Sequence, residues 1–205
     1  MGQLHVWASG APYALRLLQC LHGLELEVHV AVSAAARVTW EWELQESFET
    51  SVARLPGLRV HAEHDWMSPI ASGSFRHDGM AVVPCSMRTL GAIAAGVSDN
   101  LVQRAAEVCL KERRKLVAVV REAPYSLGHL ENMLRATRAG AIVLPASPGF
   151  YHRPRTVSDL VDFVVSRVLD HLGVPNDLIR RWGPNAVEAQ SDAGSTARGQ
   201  DRELG

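Results

Sequence analysis

Ser86 and Thr89 stand three residues apart in "VVPCSMRTLGAIAAG", where an apolar run gives way to a helical pattern. Two hydroxyls at a helix mouth, with small residues beyond, suit a phosphate held by hydroxyls and backbone N–H groups without a lysine. The alternative is a pair of ordinary helix-capping residues. The stretch "VWASGAPY", Val6 to Tyr13, poses the same question. A strand ends in Ala8-Ser9-Gly10-Ala11 and a helix opens at Pro12, so small residues let a ligand approach the backbone. It is not G-x-G-x-x-G, and Trp7 stands where a nucleotide loop more comfortably has glycine. Ser33 closes a further apolar run, "LEVHVAVS".

A second set of residues is ionic. Arg104 and Lys111 are seven apart and share one helix face, which by itself describes a solvated surface. Arg121-Glu122 end the run "KLVAVV", and Tyr151 follows "LPASPG", with Arg153 and Arg167 beyond. Convergent Lys, Arg and Tyr suggest an anion site distinct from the first. In "HDWMSPIASGSFRHDGM", Trp66 precedes a loop containing Ser72-Gly73-Ser74, too flexible and polar for core. Such a loop is functional or a plain connector, and Trp66 alone reads first as packing. His61 and His64 in "HAEHD" have a metal-ligand spacing that nothing nearby completes, and no G-x-S-x-G elbow is present.

The elements that position these residues follow from periodicity. The short apolar runs "LHVWA", "LEVHVAVS", "LRVHA", "GMAVVP", "KLVAVVRE" and "GAIVLPA" predict buried parallel strands. Helical spacing lies between them, marked by Leu15, Leu17, Leu18 and Leu21 and later by Leu130, Met133 and Leu134. Asp99 is placed to cap "NLVQRAAEVCLKER", and Ser158 and Asp159 lie near the start of "LVDFVVSRVLDHL". The alternation predicts an α/β fold: a three-layer, doubly wound, Rossmann-like, mostly parallel sheet whose ligands gather at the carboxyl ends of the strands. Residues 1–183 form one expected domain, and 184–205, small, polar and aperiodic, an expected disordered tail.

Composition bounds the function. A net charge of −1 among 205 residues gives no footprint for nucleic acid or an anionic membrane. Cys20, Cys85 and Cys109 are an odd set inside apolar runs, which favours reduced, buried thiols. With no signal peptide and no uninterrupted apolar run long enough for a bilayer, a soluble cytoplasmic protein is expected.

These residues collect into a pattern. "ASGAPYALRLL", "DWMSPIASGSF", "PCSMRTLGAIAAGVSDNLVQRAAEVCLKERRKLVAVVREAP", "HLENML" and "PGFYHRPRTVSDLVDFVVSRVLDHLG" closely resemble the UbiX-type flavin prenyltransferases, from the first strand to about Trp182. The combination is specific; single pieces are not. The resemblance implies a flavodoxin-like homododecamer. It also implies a metal-independent transferase that joins a dimethylallyl group from dimethylallyl phosphate to N5 and C6 of reduced FMN. The product is prenylated FMN, the cofactor of UbiD-type decarboxylases.

Carried over to this chain, the resemblance puts Trp7, Ala8 and Ser9 along the flavin ring. Ser33, Ser86, Met87, Arg88 and Thr89 would hold the ribityl phosphate, and Arg121 would also contact the flavin. Lys111, Tyr151 and Arg167 would take the substrate phosphate, with Arg104 and Glu122 completing that polar site. Counted without a gap from Ser33, Glu43 matches the acid/base glutamate, with Ser9 relaying protons beside it. Trp66 matches the aromatic face near the allyl group, and Trp182 the aromatic that helps close the site. Two departures stand out: Trp7 replaces the glycine usual there, and Glu41 lies near enough in "WEWE" for a local shift to exchange it with Glu43. Alternative functions are a flavin-dependent decarboxylase of the related cysteine decarboxylase group and a non-catalytic flavin-binding partner of a decarboxylase. "PCSMRTL" departs from the former's Asn-containing P-x-M-N motif.

Overall fold

The computed structural model describes the backbone of residues 2–6 and the whole of residues 10–183. The expected flavin contacts Trp7, Ala8 and Ser9 and the expected tail at 184–205 lie outside the described residues. Strands β1 (Gly2–Val6), β2 (His29–Val32), β3 (Arg59–His61), β4 (Gly79–Cys85), β5 (Lys115–Val120) and β6 (Ile142–Pro145) form one sheet in the order β3-β2-β1-β4-β5-β6. Every neighbouring pair is parallel. The strand order reverses direction between β1 and β4, so the crevice above their carboxyl ends is the topological switch point. The doubly wound, Rossmann-like (flavodoxin-like) class expected from the sequence is the one observed.

Helices cover both faces. On one lie α1 (Ala11–Leu21), α2 (Ala34–Leu44), α3 (Phe48–Ala53) and α7 (Val157–Leu172); on the other, α4 (Met87–Ala95), α5 (Leu101–Lys111) and α6 (Leu127–Ala139). Strand β5 shows why the sequence reads as unbroken apolar runs. Val117 and Val119 join the core under α1 and α7, while Leu116, Ala118 and Val120 join the core under α4 and α5. A strand covered on both sides has no polar face to alternate with.

One helix start differs from expectation, and another agrees with it. Asn100, not Asp99, caps α5: its side chain accepts from the Gln103 N–H, while the Asp99 N–H donates to the Gln103 side chain at 2.7 Å. Helix α7 starts from Thr156, whose hydroxyl accepts from the Asp159 N–H while the Asp159 carboxylate accepts from the Thr156 N–H. This reciprocal capping box satisfies two otherwise unpaired donors. Among the described residues, no helix is long and apolar enough to cross a membrane.

Candidate active site

The mouth of α1 is held open by glycine and closed by a carboxylate. Gly10 has φ of 119°, and a Cβ there would meet Tyr13 at 3.1 Å and Pro84 at 3.2 Å. Both constraints require glycine. Its N–H and that of Ala11 donate to Glu43 Oε2, each at 2.8 Å. Glu43 lies in the last turn of α2, and Trp40 anchors that helix. The Trp40 indole is fully buried, donates to Ser51 Oγ at 3.0 Å and meets Phe48 edge-on at 5.2 Å. Glu41 instead borders an open surface depression with Val38, Trp42 and Gln45. The carboxylate brought to the α1 mouth is Glu43.

Two more helix mouths open on the same edge. Ser33, fully buried, caps α2 by accepting from the Ala36 N–H at 3.1 Å. Ser86 caps α4, accepting from the Thr89 N–H at 3.1 Å and donating to the Thr89 hydroxyl at 3.0 Å. Capping and anion binding are compatible here, because each helix start keeps further N–H donors. The Ala34 N–H already holds an anionic oxygen, Glu63 Oε2, at 2.9 Å. A carboxylate on that donor is a stand-in for a phosphate oxygen, so the donor set fits the flavin phosphate. Arg88 and Thr89 line a cavity of about 210 Å³ with Glu63, His64, Asp99, Asn100 and Gln103. Met87 is buried in the core beneath α4, which fits backbone rather than side-chain contact. Arg121 and Glu122 follow directly on β5, and the Glu122 carboxylate accepts from the Ala123 N–H at 3.1 Å.

The residues expected around the substrate phosphate fall into two groups. Tyr151, Arg167 and Trp182 gather against α7. The Tyr151 ring lies 5.6 Å from Trp182 and 5.7 Å from Phe163, both edge-on. One turn beyond Phe163, Arg167 pairs with Asp170 at 2.8 Å, and Asp170 also takes both terminal nitrogens of Arg181. The hydrogen bond from Arg181 is the main reason that the Asp170 carboxyl sits below its usual range. Arg104 and Lys111 lie on α5, across the sheet. Arg104 donates to the Ala71 carbonyl at 3.1 Å and pairs with Glu107, and Lys111 pairs with Glu112 at the helix end leading into β5. A single chain therefore does not bring Lys111 to Tyr151 and Arg167: the parallel sheet stands between them.

Trp66 is half-exposed, tilted against His64 at 6.3 Å between ring centres, on the segment after β3. The loop that follows is fastened, contrary to the flexible segment expected. Arg114 donates to the carbonyls of Gly73 and Phe75, both at 2.7 Å, and Pro69–Ala71 form a 3₁₀ turn. Two distant arginines supply bonds that composition does not reveal. His61 and His64 diverge, His61 turning to His29 and His64 to Trp66. Cys85 and Cys109 are buried and burial pushes their thiols up to about 12; burial also raises Cys20, which is partly exposed. No sequence motif singles out Glu63, whose only signal is its place two residues past a strand end.

The family model described as Flavoprotein matches residues 7–169. The flavin prenyltransferase UbiX of Pseudomonas aeruginosa is 50% identical over 188 residues, covering 86% of this chain and 90% of that protein. Among solved structures, AnUbiX (PadA1) in complex with FMN and dimethylallyl pyrophosphate is 42% identical, covers 89% of this chain and 96% of its own, and superposes with a TM-score of 0.84. A dodecameric FMN-dependent UbiX-like decarboxylase from Escherichia coli O157:H7 is 46% identical, covers 89% of this chain and all of its own, and also reaches 0.84. Family model, sequence identity and superposition agree: this chain belongs to the flavin prenyltransferase UbiX family of flavoproteins.

Proposed function

We propose that this chain joins a dimethylallyl group from dimethylallyl phosphate to N5 and C6 of reduced FMN, in the cytoplasm, as a homododecamer that supplies prenylated FMN to a UbiD-type decarboxylase. The observation that carries this reading is the Glu43 carboxylate seated on the Gly10 and Ala11 N–H groups. It puts the acid/base position implied by the family pattern beside the turn after β1. The ligands of the AnUbiX complex and the dodecamer of the Escherichia coli relative support the substrates and the assembly.

Reduced FMN supplies the nucleophilic atoms, and the chain's residues do the rest. Ser33, Ser86, Arg88, Thr89 and the free N–H groups of α2 and α4 hold the ribityl phosphate, with Glu63 giving up the Ala34 N–H to it. Trp7, Ala8, Ser9, Met87 and Arg121 complete the flavin contacts. As the allylic C–O bond breaks, phosphate leaves with the electron pair. Lys111, Arg104 and Arg167 neutralise its charge, and the Tyr151 hydroxyl donates a hydrogen bond. Trp66 and Trp182 offer aromatic faces to the allyl cation in a site that excludes water. Closing the second bond, on C6, needs a proton delivered to the remaining dimethylallyl double bond and another taken from C6; Glu43 would give the first and accept the second, with Ser9 as relay, while Glu122 would order the polar side of the pocket. The α5 set of one subunit and the α7 set of another meet around one donor phosphate, because within one chain the sheet separates them.

Incubation with reduced FMN and dimethylallyl phosphate, then mass spectrometry of the extracted flavin, tests the reaction. A flavin heavier by one dimethylallyl unit is expected. Unmodified flavin with this donor and also with the pyrophosphate would overturn the reading.

A further inference from the structure

A chain of side chains outside the flavin and phosphate contacts runs from β2 to the segment carrying Trp66. Glu27 Oε1 lies 3.1 Å from His29 Nε2, His29 Nδ1 lies 2.9 Å from His61 Nε2, and His61 Nδ1 lies 2.9 Å from Ser68 Oγ. The two imidazoles are stacked, 5.0 Å apart and inclined by 11°, with Phe75 packed on His29 at 5.2 Å. His29 and Ser68 are buried, and the His61 side chain is 12% exposed.

The chemistry of the groups fixes the direction of this chain. A carboxylate only accepts, so His29 Nε2 carries a hydrogen and donates to Glu27. Neutral His29 then accepts at Nδ1, so His61 donates from Nε2, and neutral His61 accepts the Ser68 hydroxyl at Nδ1. An added proton goes to His61 Nδ1. The Ser68 hydroxyl must then turn to accept, and Asp65 Oδ2, 3.7 Å from Nδ1, becomes an ion-pair partner. Asp65 and Ser68 bracket Trp66. The Ser68 N–H donates to the Asp65 carbonyl at 3.1 Å, the Met67 N–H to the Asp65 carboxylate at 3.2 Å, and the Trp66 N–H to the His64 carbonyl at 2.9 Å.

We propose that neutral His61 is the positioning residue for Trp66, and that one proton at His61 Nδ1 resets the Asp65–Ser68 turn and shifts the indole. Its effect on catalysis rests on Trp66 lining the donor pocket. Besides His29, the charged groups acting on His61 are Asp65 on its own loop and Arg59 on β3. Glu27, paired with Arg59 at 2.6 Å, stands behind His29, and His77 interacts with His29 from the segment before β4. From α5, Arg104 is engaged by the Ala71 carbonyl and Glu107. Burial first, and His29 second, lower His61 below the ordinary imidazole value of 6.5, so the neutral form prevails at neutral pH.

Two substitutions separate positioning from bulk structure. In His61→Gln the amide donates toward His29 and accepts from Ser68, copying neutral imidazole in a group that does not titrate; His61→Leu copies neither contact. Trp66 fluorescence, isolated as the difference from Trp66→Phe with both proteins carrying His64→Gln, should titrate in mildly acidic solution with His61 and stay flat with His61→Gln. Over the same range KM for dimethylallyl phosphate should rise about fivefold in the native protein and not in His61→Gln. His61→Leu should show the raised KM at every pH, with FMN affinity little changed. Should that variant not fold, Ser68→Ala, which removes only the hydroxyl, carries the same expectation. An identical acid limb of fluorescence in the native protein and His61→Gln would overturn the proposal, as would native KM and fluorescence in His61→Leu. A Trp66 signal that titrates while KM stays flat upholds the positioning role and counts against Trp66 lining the donor pocket.

Discussion

Glu41 and Glu43 are two positions apart, and on a helix that turns them about 200° from one another. One carboxylate therefore reaches the α1 mouth while the other faces an open depression. Glu43→Gln should bind FMN and lose prenyl transfer by about 10²- to 10⁴-fold, the usual worth of a positioned acid/base, while Glu41→Gln turns over normally. Mass spectrometry of the flavin and a binding titration read both; the reverse pattern would move the role to Glu41. Arg167→Ala or Tyr151→Phe should weaken dimethylallyl phosphate binding about ten- to a hundredfold, the worth of one charge-assisted contact, and FMN binding far less. Equal losses of both ligands would mean one anion site. Ser33 and Ser86 at the α2 and α4 mouths were legible because the end of an apolar run marks the carboxyl edge. The Glu43 contact was not, because Gly10 and Ala11 are more than thirty residues away in the chain.

Each element's own periodicity made the sheet readable in advance, and "KLVAVV", apolar from its second residue on, reads as a strand covered on both sides. What the sequence left open were the connections, since the bonds from Arg114 and Arg104 to the 71–75 loop come from another element. The β2–β3 edge and the segment before β4 also carry a pH dependence. His61 and His77 both lie below the imidazole value of 6.5, chiefly through burial. The unfolded chain binds these protons more readily, so their contribution is complete above 6.5 and is lost as pH falls through it toward the folded values. Asp170, lowered from 3.8, keeps its contribution over that range and loses it only in stronger acid. The apparent Tm should fall between about pH 7.5 and 5.5, and His61→Gln with His77→Gln should flatten that slope. An unchanged slope would place the titration elsewhere. At the start of α7, Thr156→Ala removes one half of the capping box and should cost about 1 kcal/mol, read as a shift in denaturant midpoint.

For the whole molecule, the decisive arrangement is Lys111 and Arg104 on one face of the sheet and Tyr151, Arg167 and Trp182 on the other. Spacing along the chain carries no information about which face a crossover helix covers, so a convergent anion site looked available within one subunit. If subunits share the donor site, Lys111→Ala and Arg167→Ala proteins, each weakened in donor binding alone, should recover activity at low donor concentration when unfolded and reassembled together. Random assortment leaves about a quarter of the sites intact. No recovery would put both residues at one subunit's own site. The buried cysteines carry another consequence. Reduced flavin reacts with oxygen, and a protein that handles it works in the presence of peroxide. Peroxide attacks thiolates, and burial pushes the Cys85 and Cys109 thiols up to about 12 and raises Cys20 as well. Met67, 93% exposed beside Trp66, has no such protection. Oxidative wear should begin there as methionine sulfoxide, seen by peptide mapping before any cysteine is modified, so that the enzyme ages at its thioether and not at its thiols.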